Sequence, residues 1–424
     1  MIIIVSSLAC ILVGRWLFNR WINHISIYSA VWGASLFAYK LQLIIYNPIS
    51  AVAWLYIAIA WLSVVLGAAM VVFATRDEGF GQAAMPPFSL FHLRVPIFVL
   101  TLLAWVALAV QIKQTQAEYG NALGALLLAP KDVYYLHTEG ELAGAPYFSL
   151  AGLAASALAG FYTARVRKLT LTALLPLLTM IVSSLVSMTK SSLLIGSVLF
   201  AYCYAFAPGY HGFSKRGLLK LTVAGGFLMA AFMFMSSFRG SYAAFDRQTQ
   251  VLNEITDYVG GFPTLYFYLS APPPAFSQYL LHPEIDNYSF FGSNTFAPFF
   301  RFLAKLGFRT FVPFYTPYYY TPTDTNQATY LAYIDADFGP AGVALVPFVL
   351  SSVLSLLYVR NSSRFRCWRL MLYAFLLVVM TFSFSGYYIT LTYWLVSCVV
   401  SSLVGWWIDN ATDRQHQLML PTTV

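Results

Sequence analysis

Hydrophobic positions along this chain gather into long runs, separated by short basic stretches and by two longer polar or aromatic ones. Runs long enough to cross a bilayer lie near residues 1–18, 23–46, 49–74, 94–112, 146–164, 169–188, 191–208, 218–238, 339–359, 370–386 and 389–408. A spanning helix needs about 20 predominantly apolar residues. The pattern therefore predicts an all-α polytopic membrane protein with about eleven transmembrane helices, a single transmembrane helical domain over residues 1–424. The first run starts at Met1 with no basic leader before it, so it reads as a span and not as a cleaved signal peptide.

Composition changes this picture little. Hydrophobic residues make up 59% of the chain, charged residues 9%, and the mean hydropathy is +0.68, whereas a water-soluble domain carries about a quarter charged residues. Cys10, Cys203, Cys367 and Cys398 lie in the spans or on the predicted cytoplasmic side, with no CxxC pair, so neither a disulfide framework nor a cysteine metal site is expected.

Charge does change it, by giving orientation. The short segments around residues 15–20, 75–94, 165–168, 208–220 and 360–369, with the tail, hold fifteen Arg and Lys against four acids. The alternate segments hold eight Arg and Lys against twelve acids. Basic loops stay cytoplasmic, which places the N-terminus outside and the C-terminus inside. The net charge of +8 is thus a topology signal, and no nucleic-acid partner is expected.

The outer side then carries most of the polar chemistry. Residues 239–338 form one large, partly helical periplasmic loop with 26 Phe and Tyr, nine Pro, five Arg or Lys and eight Asp or Glu. Long loops of this kind are functional or disordered, and such aromatic content argues against disorder. A second outer loop spans residues 113–145, and SMTKSS (187–192) is a tight outer turn with Lys190 at its tip.

Within these segments the candidate residues are few. Arg239 opens the large loop, with Asp246 seven residues on as a local ion-pair partner. Arg301, Lys305 and Arg309 recur every four residues in FFRFLAKLGFRTF, which places them on one face of a helix with Phe and Leu opposite. Such a row could bind a diphosphate through paired donors; snorkelling to lipid phosphates accounts equally well for Lys305 and Arg309. Arg247 belongs to the same outer set. Asp335 and Asp337 in YIDADFG could serve as a base, while a helix cap is an equal reading of Asp337. The cluster FVPFYTPYYYTPTDTN, with Tyr319, would stack on sugar rings or anchor the loop among headgroups. Lys40 is the one charge more than three residues inside a run, near its outer end, where snorkelling also explains it. His137 and His282 stand alone, and no HExxH, phosphate loop or nucleotide fingerprint occurs, so no metal or nucleotide cofactor is expected.

Three segments resemble the bacterial oligosaccharide repeat-unit polymerases, the Wzy or O-antigen polymerase family: the turn SMTKSSLLIGSVLF, the loop opening SFRGSY, and NQATYLAYIDADFGPAGV, which holds Asn326 and Asp337. The plan of many spans with one dominant outer loop is similar along the whole chain. Ser191 and Ser192 stand where that family commonly has an Arg. The resemblance implies transfer of a glycan from its undecaprenyl diphosphate carrier to a sugar hydroxyl of an incoming lipid-linked unit, at the outer face of the bacterial inner membrane. It implies donor and acceptor lipid-linked oligosaccharides, membrane lipids, a chain-length regulator and a flippase as partners. By position Arg239 would hold the diphosphate, with Lys190 and Arg301 assisting, and Asp337 or a neighbouring carboxylate would orient or deprotonate the acceptor. Arg247, Lys305, Arg309, Asn326 and Tyr319 are further substrate-binding candidates. An O-antigen ligase has a similar plan but relies on an outer histidine. A lipid-linked sugar flippase would carry charges and broken helices at mid-membrane.

Overall fold

The computed structural model describes residues 2–75, 88–139, 146–208, 215–238, 247–282, 291–308 and 318–419. Among the described residues the fold is all-α apart from an isolated bridge between Ile44 and Gln248 and one two-residue-per-strand hairpin, β1 (Tyr319–Tyr320) with β2 (Asp324–Thr325). Each apolar run of the sequence is occupied by a helix. These are α1 (Ile2–Phe18), α2 (His24–Leu41), α3 (Ala51–Ala74), α4 (Leu90–Tyr119), α8 (Ala151–Val166), α9 (Leu171–Val186), α10 (Ser191–Ala205), α11 (Lys215–Phe238), α16 (Tyr330–Ser363), α17 (Cys367–Phe382) and α18 (Thr392–Met419). By length and composition α3, α4 and α16 are apolar enough to cross a membrane, and several shorter apolar helices accompany them. Seven shorter helices lie between: α5 (Ala122–Leu128), α6 (Pro130–Glu139), α7 (Pro146–Ser149), α12 (Gln250–Tyr258), α13 (Phe262–Ser270), α14 (Pro272–Leu281) and α15 (Ala297–Lys305).

The chain gathers into two compact units. The first holds residues 1–80, 242–359 and 376–392. Here small and hydroxylated residues let helix backbones approach, as lipid-embedded packing requires in place of a hydrophobic drive. A Cβ on Gly33 would meet Ser7 Oγ at 2.5 Å, and a Cβ on Gly67 would run into the Phe348 carbonyl. Ser351 Oγ donates to the Val64 carbonyl at 2.6 Å, binding α16 to α3. His24, fully buried at the start of α2, shares Nε2 between Ser351 and Ser355 at 3.1 and 3.2 Å. Asn23 caps α2 through its side chain, and Gln42 ends it in the left-handed region at φ 50°.

The turn from α2 to α3 organises the other end of this unit. Residues 43–45 pair with 247–249, and the Leu43 amide donates to Tyr266 Oη at 3.0 Å. The Ser50 amide donates to Ser277 Oγ at 2.9 Å. Helices α13 and α14 are therefore no surface loop. Helix α13 lies beside α2, where Ser35 Oγ donates to the Leu269 carbonyl at 2.7 Å, and α14 continues it through Ala271, itself in right-handed helical conformation, to pack Phe276 against Tyr56 of α3. Ser35 precedes the end of α2 by six residues, about 9 Å at 1.5 Å per residue. Pro272, Pro273 and Pro274 occupy the first turn of α14, where a missing N–H breaks no helical bond.

Helix α16 carries one sharp break. Gly339 adopts φ 63° and ψ −163°, a conformation essentially open only to glycine, and Pro340 follows it. The break divides Tyr330–Phe338 from the apolar stretch that begins at residue 340.

The second unit holds residues 81–241, 360–375 and 393–424. Its centre is α8, buried from Ala151 to Thr163. A Cβ on Gly160 would collide with the Phe200 carbonyl of α10. Asp409 of α18 accepts from the amides of Cys367 and Trp368 at 2.9 and 3.2 Å, capping α17 from a neighbouring helix. Asn121 caps its own helix α5 by accepting from the Gly124 amide, and the turn after α9 packs Met188 against Ala125 and Val133 of α5 and α6.

Candidate functional site

The candidate residues fall in both units, and each unit builds its own polar group. In the first unit Asp337, only 4% exposed, sits in the last turn before the Gly339 break. Its Oδ1 accepts from the Asn294 amide at 2.8 Å, from Asn294 Nδ2 at 3.2 Å and from Ser293 Oγ at 3.4 Å. Its Oδ2 accepts from the Thr295 amide at 2.6 Å and from Thr295 Oγ1 at 2.7 Å. Asp337 thus caps the approach to α15 and not the start of its own helix. With five donors on two oxygens, it positions the residues ahead of α15.

Helix α15, so positioned, carries Arg301 one and a half turns on. Arg301 Nη1 donates to the Thr390 carbonyl at 3.3 Å and to Thr392 Oγ1 at 3.4 Å. Burial lowers the Arg301 pKa from its usual value, the mark of a partly desolvated guanidinium. The opposite face is apolar and open: Phe299, Phe302 and Leu306 are each more than half exposed, as an interfacial amphipathic helix would be. Arg301 and Lys305 share this helix. Gly307 turns left-handed at φ 88°, its amide donates to Ala304 and that of Phe308 to Leu303, so the helix stops just past Lys305. Lys305 itself is exposed. Arg309 lies outside the described residues.

Tyrosines enclose the carboxylate-bearing turn. Tyr387 lies near Asp337, and burial, with Asp337 adding, pushes its hydroxyl up to about 12 against an opposing hydrogen bond with Thr295. Tyr330 Oη and Tyr28 Oη share a hydrogen bond at 3.0 Å, and the rings of Tyr330 and Tyr333 lie 6.2 and 6.5 Å from that of Tyr387. Two residues before Asp337, Asp335 is differently placed. Its Oδ2 accepts from Tyr279 Oη of α14 at 3.2 Å, and its Oδ1 is buried without a hydrogen-bond partner. Tyr319, also a candidate, is 3% exposed and packs edge-on against Tyr279 at 6.3 Å. Its neighbours Tyr318 and Tyr320 are exposed, as is Asn326. Arg247 is exposed at φ 63° in the strip that pairs with residues 43–45. Lys40 is exposed, with Nζ 5.8 Å from the Trp54 ring, an arrangement that fits snorkelling.

In the second unit, Lys190 is not an open tip. It is 9% exposed, its Nζ donates to Ser236 Oγ of α11, and it lies 4.3 Å from the Phe232 ring centroid. Ser184 Oγ accepts the Leu193 amide across the same turn, fixing the start of α10. Ser236 precedes Arg239 by three residues in sequence. Arg239 and Asp246 lie outside the described residues, so the ion pair expected between them does as well. Among the described residues, no three His, Cys, Asp or Glu side chains gather as metal ligands would.

No protein-family model, no curated protein and no solved structure matches this chain.

Proposed function

We propose that this protein joins undecaprenyl-diphosphate-linked oligosaccharide units at the outer face of a bacterial inner membrane, as its likeness to the repeat-unit polymerases implies. The observation that carries this reading is the segment from Ser293 to Arg301. It is tied by Asp337 at one end and presents a half-buried guanidinium at the other, in a protein built of apolar helices. A glycosyl diphosphate brings its own leaving group, so the reaction needs cations at the departing charge and a proton acceptor for the incoming hydroxyl. In the first unit Arg301 supplies the cation, with Arg247, Lys305 and Arg309 along the same outer loop and Asn326 and Tyr319 nearer its end. By the resemblance, Arg239 and Lys190 are further candidates for binding the diphosphate.

In this reading all eleven apolar helices cross the membrane, with the N-terminus periplasmic and the C-terminus cytoplasmic, and a flippase and a chain-length regulator act beside the enzyme. Deletion tests it. Cells lacking the protein should accumulate lipid-linked single repeat units, with acceptors capped by one unit. Long polymer stranded on the lipid carrier would indicate a ligase instead, and units trapped on the inner face a flippase.

A further inference from the structure

We infer that Asp335, held by Tyr279, is the group that binds and deprotonates the acceptor sugar hydroxyl. The assignment rests on the glycosyl-transfer reading above. It comes from a contrast between two carboxylates on one helical turn. Asp337 accepts five hydrogen bonds from Ser293, Asn294 and Thr295, so both of its oxygens are already engaged by the protein. Asp335 has one donor, Tyr279 Oη on Oδ2, and its Oδ1 accepts nothing from the protein although it is buried. A buried carboxylate oxygen without a donor is costly, and such an oxygen is uncommon enough in folded proteins to call for a role. An incoming hydroxyl satisfies it. The carboxyl torsion is broad and roughly two-fold, so rotation about it can exchange the two oxygens and bring either one to the incoming hydroxyl.

The surroundings leave one approach. Phe276 and Tyr279 lie one turn apart on α14 with rings 16° from parallel, and Tyr319 stands edge-on to Tyr279. These three rings are at most 4% exposed and hold the carboxylate from behind, whereas Asp335 and the neighbouring Tyr56 of α3 are only half-buried, which is the side an acceptor hydroxyl reaches. All these groups lie in the first unit. In the step itself the acceptor O–H gives its proton to the Asp335 carboxylate. The freed oxygen forms a bond to the donor's anomeric carbon as the bond from that carbon to the diphosphate oxygen breaks. Undecaprenyl diphosphate leaves with the bonding pair, and Asp335 later releases the proton to water.

The test uses purified full-length protein and lipid-linked units extracted from the deletion strain, and follows ladder formation against pH. General-base loss costs a factor of roughly 10²–10⁴. Asp335→Asn should therefore lose at least about a hundredfold in turnover, with thermal unfolding like wild type and the acid limb of the pH profile abolished. Asp335→Glu should recover part of the rate, and Tyr279→Phe should stay folded and shift the acid limb. An active wild type with Asp335→Asn within about threefold of it, on an unchanged pH profile, would overturn the assignment alone. A wild type that builds no ladder overturns the glycosyl-transfer reading, and this assignment with it.

Discussion

The Thr295 amide donates to Asp337 Oδ2 at 2.6 Å, and through that bond the last turn before the α16 break fixes the start of α15. Removing the carboxylate leaves the amides of Asn294 and Thr295 without this acceptor in a part-buried place. Unsatisfied buried groups of this kind cost about 1–3 kcal/mol each. Asp337→Ala should therefore lower the unfolding temperature in detergent and open residues 291–308 to protease, and Asp337→Asn should do so less. An Ala variant with unchanged unfolding and proteolysis would refute the anchoring role.

Arg301 is expected to act on the leaving group. Losing a charge-assisted contact to developing charge costs roughly 2–4 kcal/mol, or about thirty- to a thousandfold in rate. Arg301→Ala should show that loss at normal expression, with partial rescue by Lys, and Arg239→Ala should lose as much with weaker rescue by Lys. Polymer of normal length in either Ala strain would contradict the role assigned to that arginine.

Gly339 should tolerate no side chain. Its φ of 63° with ψ near −163° strains any L-residue by about 1–3 kcal/mol, although open space surrounds the missing Cβ. Gly339→Ala should thus destabilise the protein through the backbone alone, and Gly339→Val should add little beyond the Ala effect if space is not limiting. Full stability of the Ala variant would show that the break is not required.

The large loop is expected on the periplasmic side. Single cysteines at Gln250 and Asn287, in a background where the native cysteines are replaced, should react with a membrane-impermeant maleimide added to intact spheroplasts. Labelling only after the inner face is opened would reverse the orientation drawn from the charge split.

Much of the helical framework was legible in the sequence, because the length of an apolar run is a local property. The runs near residues 49–74 and 339–359 coincide with α3 and with α16 beyond its break. The packing of α13 and α14 against α2 and the turn after it was not legible as such. Phe262–Leu281 carries no charge, but its aromatics and three successive prolines read as loop chemistry. Tyr266, Leu269, Ser270 and Ser277, bonding to residues 35–50, place the segment there. The partners of Asp337 lie 42 to 44 residues away, and no spacing rule joins them. Lys190 looked exposed because its turn is short and polar, yet its burial depends on Phe232 and Ser236, more than forty residues on. The contrast between Asp335 and Asp337 had no sequence signal, since both stand in the same YIDADFG turn and differ only in what faces them.

The most direct measurement of the central claim supplies purified protein with lipid-linked repeat units alone. With no nucleotide and with a metal chelator present, the protein should build a ladder of products on the undecaprenyl carrier and release one undecaprenyl diphosphate per added unit. Failure to form any product longer than the supplied unit, or a strict need for added nucleotide, would contradict it.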